Sequence, residues 1–556
     1  MTDQKRVLLA FVLMAVVLVA SQWWYSRMTP PPEPVAPADT TAPGRPVGRE
    51  ARETPALQPP GAGLPAEPVD GMPETGPPSV RPAAVIVETP LYRLSIDPRG
   101  GGIRQASLIR YPSFTAPGPV ELVPPDADFL RRAADLDDRR VPIHSLDFVA
   151  SPSSIRLVEG DSARTLTLTA DLDGGRIVQS YRFDPEDYAV DYQLDLGTPV
   201  DGVLVTGIAP RLQSNEKNPR EDYGQLRAVA RVGGEIVTRQ AKDVDGGEAL
   251  ALGGPIDWAG LRNKYFLAMV LAPPQGPPLS ATTIAGVASD TLPSFEIIVG
   301  SPIEAGKGAY RIYLGPQEYR RLATLNEGLD DVNEYGWSWI RWMITPFAKG
   351  IVIVMLWLHQ FIPSYGIVLI VFGLLVRLVM WPLTTKSYHS IRAMQELQPE
   401  IQQLRDQYKN DPQRMQQETM RLYREKKVNP LGGCLPNLIP MPILFALFFV
   451  FQGTIEFRGQ AFLWLPDLSQ PDPLYILPIL MGLTMMASSK LTATDPRMAA
   501  MTYLMPIVLT FVFLTLAAGL VLYYTFSNLL TFIQQWWLHR SVQREAAEAA
   551  SGATPG

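Results

Sequence analysis

The chain has little of what soluble chemistry usually needs. It carries one cysteine, Cys434, so no intrachain disulfide can form and an exported domain must be held by its own core. Its four histidines, His144, His359, His389 and His539, are far apart and lack ligand spacing, which with one cysteine gives no support for a classical zinc site. Charge is missing over long stretches. No Asp, Glu, Lys or Arg occurs in the 42 residues between Arg497 and Arg540, nor from Val428 to Ile455. Large apolar residues are scarce between Thr29 and Ala83, where 16 of the 53 prolines sit. A single soluble domain is excluded by the charge-free runs, and a wholly embedded protein by the polar region 84–334. The formal charge of −6 does not suggest a general nucleic-acid binder, and no DNA partner is expected.

What is present fixes a topology. Lys5-Arg6, an apolar run from Val7 to Ala20 and Trp23-Trp24-Tyr25 fit a signal anchor over 1–28 with a cytoplasmic N-terminus. A cleaved signal peptide is the alternative. Further spans are read at 364–383, 431–453, 473–489, 502–516 and 519–538. The 42-residue charge-free stretch would make ~63 Å of helix, about twice a hydrocarbon core, so it must fold back, with Ala517-Ala518-Gly519 as the hairpin. Between Lys349 and His359 lie nine apolar residues, ~14 Å of helix and too short to cross. Residues 335–363 therefore read as an amphipathic interfacial helix, with Trp337, Trp339, Trp342 and Trp357 at the membrane surface. That gives six spans and two cytoplasmic ends. It also keeps the basic segment 384–430, with 9 Lys/Arg against 6 Asp/Glu, inside.

The remaining regions are aqueous. Residues 29–83 read as a Pro-rich periplasmic linker. Residues 84–334, with 25 Lys/Arg against 35 Asp/Glu, alternate with period two over 165–172, 176–183, 188–196 and 202–208, which predicts an antiparallel β-sandwich ending in a helix near 316–330. The acidic cluster Asp135, Asp137 and Asp138, interleaved with Arg, reads as a solvated face. In 384–430, Met394, Leu397, Ile401, Leu404 and Tyr408 share one helical face and Met415 and Leu422 continue the seam, predicting a cytoplasmic helical hairpin kinked at Pro399. A protein partner, RNA or anionic lipid heads are all compatible with its charge, as is plain solvation. Residues 539–556 form a short cytoplasmic tail.

Arg377 is the sharpest feature. It lies inside the second span, nine residues before Lys386, where an arginine costs about 2.5–3.5 kcal/mol at a helix centre. Snorkelling is one account. The neighbouring spans hold no Asp or Glu to pair with it, so the other account is a water-filled cavity open to the cytoplasm. Tyr524, Asn528, Thr531 and Gln535 recur at helical spacing in the last span, beside Tyr523, Ser527 and Gln534. They form a polar stripe that either bonds between helices or lines that cavity. Cys434 follows Leu431-Gly-Gly, but without a basic-apolar signal before it this is no lipoprotein box; a buried small hydrophobe fits better.

These residues resemble the YidC membrane protein insertases of Gram-negative inner membranes. The likeness lies in Val376-Arg377…Pro382-Leu383-Thr384, Leu397-Gln-Pro399, Val428-Asn-Pro-Leu-Gly-Gly-Cys434, Asp472-Pro-Leu-Tyr-Ile-Leu-Pro-Ile-Leu-Met-Gly482 and Gly519-Leu-Val-Leu-Tyr-Tyr524…Ser527-Asn528. Weaker matches are Ile96-Asp-Pro-Arg-Gly-Gly101 and Asn263-Lys-Tyr-Phe266. The resemblance implies a protein that inserts and helps fold nascent inner-membrane proteins, alone or beside the Sec translocon. It implies that Arg377 is a groove arginine attracting acidic substrate segments, that Tyr524 contacts substrate, and that a substrate helix slides along Met441 and Pro442. It also implies a hairpin receiving substrate from targeting receptor and ribosome. The family's usual groove threonine is Gly373 here.

The sequence thus predicts a polytopic α-helical membrane bundle of six spans with an exported antiparallel β-sandwich domain. It is read as an insertase acting in the lipid bilayer without bond chemistry or cofactor. The substrate-binding candidates are Arg377, Met441, Pro442, Tyr523, Tyr524 and Asn528. A small-solute carrier is the rival reading, but carriers of this kind carry repeated halves and these spans show no duplication. A periplasmic scaffold anchored by its bundle is the third.

Overall fold

The computed structural model describes residues 83–551 apart from 126, 128, 138, 173–174, 209, 241–248, 288–291, 326, 338, 427, 429–439 and 493–498. The expected first span, almost all of the Pro-rich linker, Cys434 and the start of the third span lie outside the described residues. The chain divides into two compact units, with the boundary between Gly315 and Pro316.

The first unit is built from two sheets. The smaller runs in the order Pro119–Glu121, Ile103–Pro112, Tyr92–Ile96, Val85–Glu88, Ser154–Arg156; its pairings are antiparallel except the last, which is parallel. The larger has 14 strands. All four strands expected from alternation are there, as Arg164–Leu172, Gly175–Phe183, Ala189–Asp195 and Gly202–Ile208. Their inward residues pack in the core, with Leu166, Leu168, Tyr181, Phe183, Tyr192 and Leu194 buried. The two sheets meet through aromatic pairs: Tyr92 lies 6.2 Å from Tyr188, and Tyr111 meets Phe266 edge-on at 5.7 Å. This is the sandwich logic, in which two half-apolar sheets bury one another's faces. A short helix, α1 (Pro219–Gly224), interrupts the strands.

One expectation about this unit is only half met. Asp135 pairs with Arg140 at 3.3 Å and Asp137 is exposed, as a solvated face requires. Arg132, three residues before Asp135, is wholly buried.

The second unit is helical. It contains α2 (Tyr319–Thr324), α3 (Arg341–His359), α4 (Tyr365–Glu396), α5 (Gln398–Gln407), α6 (Pro412–Glu425), α7 (Pro440–Gly453), α8 (Ile476–Thr492), α9 (Ala499–Phe513) and α10 (Ala518–Ser551). The helix expected over 316–330 is cut to α2, and the chain turns at Gly328 in the left-handed region (φ 68°). α3 is 19 residues long, twice the nine-residue run read between charges. Lys349 interrupts the apolar run but not the helix, because helix formation does not require apolarity. By length and composition, Arg341–His359 and Tyr365–Pro382 could each cross a membrane; Met441–Gly453, Ile476–Lys490 and Tyr503–Phe513 are shorter apolar helices.

Contacts fix the helix directions. Tyr365 at the start of α4 and Phe451 near the end of α7 both pack on Phe457. The backbone N–H groups of Ala518 and Gly519 donate to Gln470 and Leu468, which brings the start of α10 beside the approach to α8. Thr525 Oγ1 then donates to the Leu477 carbonyl at 3.2 Å, seven residues further along α10. The starts of α4, α8 and α10 and the end of α7 therefore gather at one end of the bundle. α4, α8 and α10 run one way; α7 and α9 run the other. The interior is aromatic and aliphatic, with Phe372, Phe448, Phe451, Leu477, Met481 and Val521 buried. The outside is apolar too: Val379, Ile479, Leu483, Phe511, Ile533 and Trp537 are exposed. An apolar exterior around an apolar core is what a bilayer, not water, stabilises.

α4 continues without a break from the apolar segment into the polar one, and Pro382 is held inside it. The hairpin follows. The helix breaks at Leu397 and restarts with Pro399 in the first turn of α5, where its missing N–H costs nothing. Leu397 and Ile401 are buried, and Leu404, Tyr408, Met415 and Leu422 are half-buried, as the seam predicts. Asp411 caps α6 by accepting from the Arg414 N–H, and Lys426 Nζ reaches Glu400 across the two arms at 2.9 Å.

Candidate functional site

α4 and α10 lie side by side because a glycine lets them. A Cβ on Gly373 would stand 3.4 Å from Phe526 and 3.6 Å from the Tyr523 ring, ordinary contact distances. One residue earlier, Phe372 packs against Tyr523 with ring centroids 5.9 Å apart. One turn later on α4 comes Arg377, roughly 18 Å of helix from the start at Tyr365.

Arg377 is half-buried, and its Nη2 donates to Gln534 Oε1. The amide nitrogen of the same glutamine faces Thr384 Oγ1 at 3.3 Å and Thr385 Oγ1 at 3.5 Å. Because Gln534 touches both Arg377 and Thr384, the guanidinium reaches along α4 toward its C-terminal end, which is the snorkelling direction. The expectation of an arginine without a side-chain partner is thus corrected. The sequence argument considered only carboxylates, and a neutral amide serves as the acceptor.

The expected polar stripe is also displaced. Tyr523, not Tyr524, packs on α4. Tyr524 turns toward α9, edge-on to Phe513 at 5.2 Å, and the two tyrosines meet edge-on at 5.5 Å. Tyr523 and Gln534 are 11 residues apart, three full turns, so they share a face. Tyr524, Asn528, Thr531 and Gln535 stand about 100° further round. Asn528 and Thr531 are half-buried, and Thr531 Oγ1 donates to the Ser527 carbonyl at 2.7 Å. Periodicity alone could not choose between two faces when both carry polar residues.

Met441 and Pro442 stand half-buried in the first turn of α7, which packs against α3 and more lightly against α10. The described contacts bring Arg377, Thr384, Thr385, Tyr523 and Gln534 together; Met441 and Pro442 do not enter that group. Gln534 was missed as a site residue. The signal that could have found it is its place three turns after Tyr523.

Two family models cover most of the chain. Residues 84–349 match the one described as YidC periplasmic domain, and residues 357–545 the one described as 60Kd inner membrane protein. The membrane protein insertase YidC of Syntrophus aciditrophicus is 33% identical over 96% of this chain and 99% of its own length. The chain belongs to the YidC membrane protein insertase family. Its counterpart in Geobacter sulfurreducens is 32% identical over 83% of this chain and 87% of its own. A crystal structure described as active YidC insertase with the first transmembrane domain resolved covers 82% of this chain and 93% of its own, at 18% identity and a TM-score of 0.37.

In this family frame the first unit is the periplasmic domain and the second the membrane part. Among the described residues no group of three or more His, Cys, Asp or Glu is placed to hold a metal.

At the end of the bundle where α4, α8 and α10 begin, the carboxylate of Glu456 is buried and accepts from the Tyr319 N–H at 3.2 Å. Burial pushes its pKa up to about 7, and the nearby Glu318 adds to the shift. Arg320 donates to the Leu356 carbonyl at 2.8 Å, and Lys349 pairs with Asp331 from the middle of α3. These contacts tie α2 and α3 across that end of the bundle.

Proposed function

We propose that this chain inserts nascent membrane proteins into a bacterial inner membrane and helps them fold, alone or with the Sec translocon. The carrying observation is Arg377, a cation held inside an apolar bundle by a neutral glutamine. Its charge is left uncancelled by that partner. An acidic exported segment of a client passing between α4 and α10 is attracted to it, and the attraction offsets part of the cost of dehydrating the segment. Water reaching the guanidinium from the C-terminal end of α4 would make a hydrated groove and shorten the polar segment's path through hydrocarbon.

The alternating helix directions favour five crossings over α4, α7, α8, α9 and α10, with the anchor at 1–28 as the sixth. α3 is read as interfacial rather than crossing. Its middle is tied through Lys349 to Asp330 and Asp331, and Trp339, Trp342 and Trp357 are exposed along it. Both chain ends then lie in the cytoplasm. Tyr523, Tyr524 and Asn528 are read as substrate contacts, and Met441 and Pro442 as the start of the path along α7 into lipid. The hairpin α5–α6 is read as receiving clients from the targeting receptor and ribosome, and the periplasmic domain as touching the translocon.

The test is insertion in proteoliposomes of a single-span client with an acidic exported tail. Arg377→Ala is expected to lower insertion about tenfold, and Arg377→Lys to retain most of it. An alanine variant equal to wild type would sink the charge-attraction mechanism.

A further inference from the structure

We propose that Gln534 is a positioning residue for Arg377, holding the guanidinium in one orientation without neutralising it; this rests on the groove reading above. Gln534 is 1% exposed although it lies among apolar helices. A buried primary amide has two donors and an acceptor to satisfy, and each unmet one is costly. Here both ends are used. Oε1 accepts from Arg377 Nη2, and Nε2 faces the hydroxyls of Thr384 and Thr385.

The threonines fix which way round the amide sits. Thr384 Oγ1 directs its proton to the backbone carbonyls of Met380 and Trp381, each at 3.0 Å, and Thr385 Oγ1 to Trp381 at 2.9 Å. With their protons committed, both hydroxyls are left as acceptors toward Gln534. The amide must therefore turn its N–H groups to the threonines and its oxygen to the arginine. The reverse orientation would set an N–H against a guanidinium N–H. The chain threonine, glutamine, arginine thus aims the cation from α4 by way of α10. An acidic residue at 534 would hold the arginine as well but cancel the charge that a client's carboxylate is meant to meet. A neutral, oriented acceptor keeps that charge available.

This distinguishes positioning from packing. In proteoliposomes, insertion of the acidic-tailed client is compared with that of a matched client whose tail acids are replaced by Asn and Gln. Gln534→Glu is expected to lower insertion of the acidic client nearly as far as Arg377→Ala, about tenfold, by pairing with the arginine. Gln534→Met, close in volume, leaves the charge but frees its direction and is expected to cost about threefold. Neither should change the neutral client by more than about twofold. The double variant Gln534→Met with Arg377→Ala should be no worse than Arg377→Ala alone, as expected of residues acting through one group.

Loss of insertion for both clients in Gln534→Met and Gln534→Glu alike would show a structural role and overturn the proposal. So would wild-type insertion by both variants while Arg377→Ala is impaired, which leaves the groove reading standing. If Arg377→Ala itself inserts the acidic client normally, the groove reading fails and the proposal fails with it.

Discussion

The guanidinium carbon of Arg132 lies 4.2 Å from the centre of the Tyr192 ring. The arginine is wholly buried in the periplasmic domain, and its described partners include no carboxylate. Its Nε donates to the Tyr310 hydroxyl, and its Nη1 to the Tyr181 hydroxyl at 2.7 Å and the Gly101 carbonyl at 3.1 Å. The Gly101 backbone is left-handed (φ 73°), and a side chain there would run into Gln179. This gives a physical role to the Asp-Pro-Arg-Gly-Gly motif ending at Gly101: its loop carbonyl is part of the cage around a buried cation. Arg132→Ala should remove both the hydrogen bonds and the stem that fills the cage, costing on the order of 3 kcal/mol. Arg132→Met, which keeps the stem, should cost less. Proteolysis of the full chain across a urea series measures both, and equal costs would show that the stem contributes nothing.

Asp222 makes the same domain sensitive to pH. Burial pushes its carboxyl from an ordinary 3.8 up to about 6, and the nearby Glu216 adds to this, against the pull of Lys264. Lys264 is itself committed to Glu221 at 3.1 Å, while its backbone N–H donates to Asp222 at 3.2 Å. The folded state thus binds its proton more tightly than the unfolded chain does. The resulting stability is present below about pH 4 and is lost as pH rises toward 6, on the order of 3 kcal/mol in all. Asp222→Asn mimics the protonated form. It should raise the unfolding midpoint at pH 7.5, leave it little changed at pH 4, and flatten the profile between them. A variant whose midpoint follows the wild-type pH profile would assign the dependence to another group.

The sheet strands and the hairpin were legible because a half-buried element writes its period into the sequence. Thr165 to Leu172 alternates, and Leu397, Ile401, Leu404 and Tyr408 repeat every three or four residues. Helix ends inside the membrane part were less legible. α4 runs on to Glu396 and α10 to Ser551, since a change from apolar to polar side chains does not stop a helix, whereas Leu397-Gln-Pro399 does. Arg377 stood out by composition alone. Gln534 did not, because choosing it over Gln535 requires knowing which face of α10 meets α4. Arg132 was hidden for the opposite reason: its neighbours Arg131, Asp135, Asp137, Arg139 and Arg140 read as surface, and one buried cation leaves no mark on such a pattern.

The glycines of the bundle divide by what lies opposite them. A Cβ on Gly519 would enter the Phe451 ring, one on Gly366 the Phe462 ring, and one on Gly482 the Thr510 side chain. At Gly373 it would rest at 3.4 Å and 3.6 Å from Phe526 and Tyr523, with nothing to displace. Glycine inside a helix costs about 1 kcal/mol relative to alanine, so Gly373→Ala should stabilise the bundle by up to that amount. Gly519→Ala gains the same propensity but must move an aromatic ring in a packed core, for a net loss of about 1–3 kcal/mol. Thermal denaturation of the detergent-solubilised chain should therefore move in opposite directions for the two variants. If Gly373→Ala also lowers the midpoint, α4 and α10 approach more closely than these distances allow. The same room admits Gly373→Thr, which would set a hydroxyl one turn before Arg377 at the position where the family resemblance implies a threonine.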